Sequence, residues 1–234
     1  MRPKPKKIPR RGTSTGLPTQ ATHRHHMWTW DFIFDRTDNG GTIKMMTLLD
    51  EYTRQCLAIQ VERQITADQV LGVLKKAMIQ YGAPDYIRSD NGPEFIATKV
   101  QQGLKDHQIK TIYIDPGSPW QNGYIESFHS RFRDECLSRE MLLNLREARV
   151  VIEDWRQHYN TERPHSRLGY LSPEEFIKTK ILVSHTLTGP KQVSLSDATR
   201  TAARISLVLN KNSSIPPQTT GNIYGRLYSS TPYE

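Results

Sequence analysis

The run WTWDFIFD over residues 28–35 sets four aromatic side chains, Trp28, Trp30, Phe32 and Phe34, in alternation with Thr29, Asp31, Ile33 and Asp35. A period of two is that of a β-strand with two unlike faces. Asp38-Asn39-Gly40-Gly41 then has the composition of a hairpin turn. Ile43–Leu49 and Gln55–Val61 read as the second and third strands, joined by the short polar stretch Asp50–Arg54. Thr66-Ala67-Asp68 opens a helix to about Gln80, with Val70, Val73, Leu74, Ala77 and Met78 on one face and Gly82 past its end. Tyr86-Ile87 is a short fourth strand ending at Ser89-Asp90. Pro93 suits the first turn of a helix continued by Phe95 to His107. Lys110–Ile114 is a fifth strand, and the turn at 115–119 leads into a long helix from about Pro119 to Leu137. One more helix is expected over Leu145–Asn160. Three antiparallel strands followed by alternating helix and strand predict a mixed five-stranded α/β sheet covered by helices.

The net charge of +8 is unevenly spread. Residues 1–27 hold seven Lys/Arg, four Pro and no acid; residues 28–179 hold 19 bases against 22 acids; residues 180–234 hold six against two. The basic excess therefore belongs to the two ends, and the middle is mildly acidic. Residues 1–27 read as an extended Pro-rich arm, residues 28–177 as the folded core with a C-terminal helical extension, and residues 178–234 as a Ser/Thr-rich, largely disordered tail. No apolar run is long enough for a bilayer span and no signal peptide is present, so a cytoplasmic protein is expected. Cys56 and Cys136 are too few for a disulfide framework and lack zinc-site spacing.

Three carboxylates occupy special places: Asp31 inside the aromatic strand, Asp90 at the end of the fourth strand, and Glu126 on the long helix. A charge within WTWDFIF is costly to bury unless a positive group meets it. At about 100° per residue, Trp120, Tyr124, Ile125, Phe128, Phe132 and Cys136 share one apolar arc of the helix. Asn122, Glu126, His129, Ser130 and Arg133 share the opposite one, which carries no run of ordinary Lys/Glu pairs. Taken singly, each acid is equally well read as a salt-bridged or turn residue. The 35 residues between Asp90 and Glu126 decide nothing by themselves, because pairs of acids at any one spacing are common in a chain with 24 of them.

The order of motifs says more. WTWDF at 28–32, LLDEYTR at 48–54, SDNGPEF at 89–95, SPWQNGYIESF at 118–128, RDECL at 133–137, YNTERPHSRLGY at 159–170 and SPEEF at 172–176 follow one another along residues 24–177. In this the chain resembles the integrase core of bacterial insertion-sequence transposases, in particular the downstream-frame product of the insertion-sequence-three family. The resemblance implies a ribonuclease H-like fold with helices on both faces of the sheet. It implies DNA cleavage and strand transfer by an Asp-Asp-Glu triad at Asp31, Asp90 and Glu126, holding two Mg²⁺ or Mn²⁺ ions. Arg133 matches the family's basic residue seven positions after the Glu. Asn91, Gln121, Asn122, His129 and Arg133 are the candidates for DNA contact. The implied partners are element-end and target DNA, further copies of the chain in a synaptic complex, and an upstream-frame DNA-binding protein, all at the bacterial nucleoid. The family carries helical DNA-binding segments ahead of the core, whereas only 27 residues precede the first motif here, and the segment after Phe176 does not resemble a family ending. A truncated DNA-binding or dimerisation remnant, and a nuclease of the same fold, are the alternative functions.

Overall fold

The computed structural model describes residues 20–90, 92–114 and 122–187. Three strands, β1 (Met27–Arg36), β2 (Thr42–Asp50) and β3 (Cys56–Glu62), form an antiparallel meander. After helix α1 (Ala67–Tyr81) come β4 (Tyr86–Ser89), α2 (Pro93–Ile96), α3 (Thr98–Asp106) and β5 (Lys110–Tyr113). β4 and β5 run parallel to β1, giving the sheet order β3-β2-β1-β4-β5. Helices α4 (Gly123–Phe132), α5 (Leu145–Thr161) and α6 (Pro173–Leu187) follow.

The alternation in β1 separates two cores. Trp28 and Trp30, both fully buried, face the layer of α1 and α3, where they meet Val70, Leu74, Val100 and Leu104. Ile33 faces the other layer, where Ile125, Phe128 and Phe132 of α4 meet Ile152, Trp155 and Tyr159 of α5. Asp31 lies on that second face, so the helix that carries Glu126 is the one packed over it. Helix α1 begins where expected because Thr66 and Gln69 form a reciprocal capping box.

Four boundaries differ from the sequence reading. The helix expected over Phe95–His107 is two helices, because Ala97 is extended (φ −52°, ψ 132°) between α2 and α3. Phe95 is committed to stacking on Trp30 and Phe32, at ring distances of 4.9 and 4.6 Å, and Gln101 Nε2 donates to the Phe95 carbonyl at 2.8 Å. The helix expected from Pro119 to Leu137 is α-helical over Gly123–Phe132 and widens into a π-helical turn over Arg133–Leu137, closed by the Ser138 N–H on the Arg133 carbonyl. The arm assigned to residues 1–27 gives way to packed structure by Ala21, which is buried with Met27 and Ile112. Within the segment assigned as tail, residues 178–234, α6 runs on to Leu187. Residues 1–19 and 188–234, with the rest of both terminal assignments, lie outside the described residues.

Candidate active site

β1 and β4 are parallel neighbours paired at Trp28–Ile87 and Thr29–Arg88. That register, continued two residues, sets Asp31 level with Asp90. Asp31, midway along β1, thereby neighbours Asp90, one residue past the end of β4, and α4, which carries Glu126, packs over the same face of β1. The electrostatics follow from this arrangement. Burial raises the Asp31 carboxyl from 3.8 to about 6, helped by the negative charges of Asp90 and Glu126 and opposed by hydrogen bonds from the Phe32 N–H and the Asn122 amide. Among the described residues, no three His, Cys, Asp or Glu side chains are drawn together at metal-holding distance.

Asp31 and Asp90 are each braced by hydrogen bonds. Asp31 Oδ1 accepts from the Phe32 N–H at 2.7 Å. Asn122, itself buried, donates to Asp31 Oδ2 at 3.4 Å and accepts from Thr29 Oγ1 at 3.5 Å. Asp90 Oδ1 accepts from the Gly92 N–H at 3.0 Å, and a Cβ at Gly92 would stand 3.0 Å from that same oxygen. Glycine is thus fitted here by the close carboxylate, its φ of −58° being open to any residue.

The predicted DNA contacts occupy different places. Asn122 and His129 are engaged inside: His129 Nε2 lies 2.8 Å from Thr47 Oγ1. Burial, with the nearby Arg133 charge, pushes the His129 imidazole down from 6.5 to about 4. Arg133 is about half exposed, donating to the Phe34 carbonyl at 3.2 Å and standing 3.8 Å from Asp35. Asn91 and Gln121 lie outside the described residues. Sequence reading did not single out Thr47, Thr29 or Gly92. Counting back across the hairpin would have set Thr47 opposite Asp31, its partner in the β1–β2 register.

Other polar residues near the motifs are structural. Asp50 is fully buried and accepts from the backbone N–H groups of His25, Tyr52 and Thr53 and from the Thr53 hydroxyl, at 2.7–3.0 Å. Glu51 pairs with Arg88 at 2.8 Å in the interior. Arg163 grips Glu135 of the π-helical turn through two hydrogen bonds of 2.6 and 2.7 Å, and His165 packs edge-on against Tyr159. The TERPH segment thus clamps the end of α5 to the turn that follows α4. Both Cys56 and Cys136 are buried thiols pushed up to about 12 by desolvation.

Two family models, each described as "Integrase core domain", match residues 21–119 and 107–173. The chain carries an integrase core domain over residues 21–173. Over 149 residues this integrase core is 44% identical to the insertion element IS476 uncharacterized 39.2 kDa protein of Xanthomonas euvesicatoria, covering 64% of this chain and 43% of that one. It is 40% identical to the insertion element IS407 uncharacterized 31.7 kDa protein of Burkholderia multivorans, covering 65% and 55%. It is 25% identical to transposase InsF for insertion sequence IS3A of Escherichia coli, covering 67% and 55%. The chain spans about half the length of these curated relatives. Among solved structures it resembles the catalytic core domain of BIV integrase, with a TM-score of 0.53 and 20% identity over 69% of this chain and 99% of that one. It also resembles a chain of the simian T-cell lymphotropic virus intasome in complex with PP2A regulatory subunit B56 gamma, with a TM-score of 0.56 and 14% identity over 67% and 55%. The integrase core accordingly has the ribonuclease H-like fold. Among the described residues, no helix is long and apolar enough to cross a membrane.

Proposed function

We propose that this chain is a polynucleotidyl transferase of DNA transposition, in which Asp31, Asp90 and Glu126 hold Mg²⁺ or Mn²⁺, two ions at a time. The observation that carries this reading is the placement of Asp31 and Asp90 at level positions of neighbouring parallel strands beneath the helix that bears Glu126; burial first, and then the charges of Asp90 and Glu126, raise the Asp31 carboxyl there. Hard oxygen donors of this kind suit hard divalent cations, whose positive charge answers the cost of gathering three carboxylates. When bound, such ions neutralise charge on the transferring phosphoryl group and lower the pKa of an attacking hydroxyl.

The protein's own part is positioning. Asn122 and the Phe32 N–H fix the Asp31 carboxylate, and the Gly92 N–H fixes that of Asp90. The guanidinium of Arg133, half exposed at the start of the π-helical turn that follows α4, would meet a DNA phosphate. The attacking group is water in cleavage and a DNA 3′-hydroxyl in joining. The element ends and the target are the DNA substrates, further copies of the chain complete the synaptic complex, and the site of action is the bacterial nucleoid.

The test is joining of a precut, labelled element end by the full chain with Mg²⁺. Asp31→Asn, Asp90→Asn and Glu126→Gln are each expected to abolish cleavage and joining while the far-ultraviolet circular dichroism stays that of the wild type. Joining that survives in any one of them removes that residue from the triad. Cleavage without joining in the wild type would make the chain a nuclease of this fold.

A further inference from the structure

The proposed site needs Asp31, on a strand, and Glu126, on a helix distant in sequence, to keep a fixed separation. Besides the contacts of Asn122 with Thr29 and Asp31 at the start of α4, a hydrogen-bonded chain through β2 crosses between the two elements. Thr47 of β2 is fully buried and lies directly opposite Asp31. Its Oγ1 is 3.1 Å from the Asp31 carbonyl oxygen and 2.8 Å from Nε2 of His129. His129 lies one turn beyond Glu126, at the (i, i+3) position that shares its helix face.

Proton counting gives this chain a direction. A hydroxyl has a single proton, and a carbonyl oxygen can only accept. Thr47 therefore donates to Asp31, and His129 Nε2 must carry the proton that Thr47 Oγ1 accepts. A neutral ring in the Nε2–H tautomer satisfies all three groups, in keeping with the depressed His129 value.

We propose that His129 and Thr47 are positioning residues that fix α4 to the Asp31 position of β1 and so hold Glu126 and Asp31 in register for a divalent cation. This deepens the triad reading and rests on it. It gives His129 an internal task in place of the DNA contact expected from its polar helix face. Residues that orient metal-binding side chains through hydrogen bonds typically change metal affinity or activity about 10–100-fold when removed.

The experiment titrates Mn²⁺ into the full chain by calorimetry and measures joining of precut end DNA with the same variants. His129→Ala and Thr47→Val should each weaken Mn²⁺ binding and slow joining at saturating DNA about 10–100-fold, with KM for DNA unchanged. The double variant should lose little more than either single one, because one chain is cut twice. His129→Gln returns an N–H donor near the Nε2 position and Thr47→Ser keeps the hydroxyl, so both should recover most of the loss. Nitrogen NMR of the His129 ring should show a protonated Nε2 and a bare Nδ1. Wild-type Mn²⁺ affinity in His129→Ala, alongside its loss in Asp31→Asn, overturns the proposal and leaves the triad standing. A defect confined to DNA affinity and its salt dependence overturns it in favour of a DNA contact. Wild-type Mn²⁺ binding by Asp31→Asn, Asp90→Asn and Glu126→Gln alike brings down the triad reading itself.

Discussion

Replacing Asp31 by Asn should stabilise the metal-free protein at neutral pH while destroying the proposed activity. The Asp31 carboxyl rises from 3.8 to about 6 through burial first and then through Asp90 and Glu126. At ~1.4 kcal/mol per pKa unit, this corresponds to about 3 kcal/mol by which the charged carboxylate disfavours the folded state. The amide keeps an oxygen for the Phe32 N–H but meets Asn122 less well, a loss of about 1 kcal/mol. The expected net gain is about 2 kcal/mol, or roughly 4–8 °C in melting temperature for a core of this size. The direction with pH is fixed by linkage. The folded pKa exceeds the unfolded one, so the native wild type loses stability as pH rises from the unfolded value through about 6, while the asparagine variant does not titrate there. Well below the unfolded carboxylate value of about 4 the variant should therefore be the less stable by the ~1 kcal/mol of its poorer Asn122 contact; the two melting temperatures should cross just above that pH, diverge up to about pH 6, and run parallel beyond it. Adding Mg²⁺ above that pH should reverse the order, because a cation bound only by the folded wild type stabilises it alone. Thermal melts in EDTA and in Mg²⁺ across this pH range make the comparison. An EDTA gap that is the same at both ends of the range, or a variant less stable than the wild type at neutral pH, would refute the account of Asp31 as a repelled, desolvated acid.

Two further substitutions probe the surroundings of the site. Gly92→Ala introduces a Cβ 3.0 Å from Asp90 Oδ1 without straining the backbone; joining should fall about tenfold or more with little change in melting temperature, and an unaltered rate would mean that the Asp90 carboxylate does not need this placement. Asp50→Ala removes the acceptor of three backbone N–H groups and one hydroxyl, and should cost about 3 kcal/mol or more in chemical denaturation. The hydrogen bonds and charge of His25, with the Thr53 N–H, outweigh burial and hold the Asp50 carboxyl below its ordinary value, so its stabilisation should persist above the ordinary carboxylate range and fade as pH falls through that lowered value.

Most of the strand framework was legible because it is local. The period of two in residues 28–35 separates Trp28 and Trp30 from Asp31 and Ile33, and the structure sends the two sets to different cores. Thr66 marked the start of α1 for the same reason: its capping partner Gln69 lies within one turn of it. The start of α6 carried an equally local signal. Ser172 Oγ accepts from the Glu175 N–H, and Glu175 answers by accepting from the Ser172 N–H, which is a capping box followed by Pro173 in the first turn. Reading SPEEF only as a family motif hid that signal. The break at Ala97 and the π-helical turn had no local mark. The first depends on Phe95 stacking across to Trp30 and Phe32, and the second is clamped by Arg163, 28 residues beyond Glu135.

The site shows the same division between what a helical wheel contains and what it cannot. Periodicity gathers Asn122, Glu126, His129, Ser130 and Arg133 on one arc, and the residues that α4 buries, Ile125, Phe128 and Phe132, belong to the other. It does not say whether a polar face looks onto solvent or onto a neighbouring strand, because that depends on how the helix is docked. Here the docking divides the face. Glu126 is exposed and Arg133 half exposed, whereas Asn122 and His129 turn inward to Thr29 and Asp31 and to Thr47. The absence of ordinary Lys/Glu pairs along that face has a physical cause in this division. Flexible charged side chains gain little from each other in water and would be costly against a sheet, whereas a short amide and a neutral imidazole can satisfy a buried threonine and a carboxylate at fixed distances. Polar residues chosen for reach and hydrogen-bonding valence, on a helix packed over a strand that bears an acid, are therefore a sign of an organised site even before any of them is assigned a ligand.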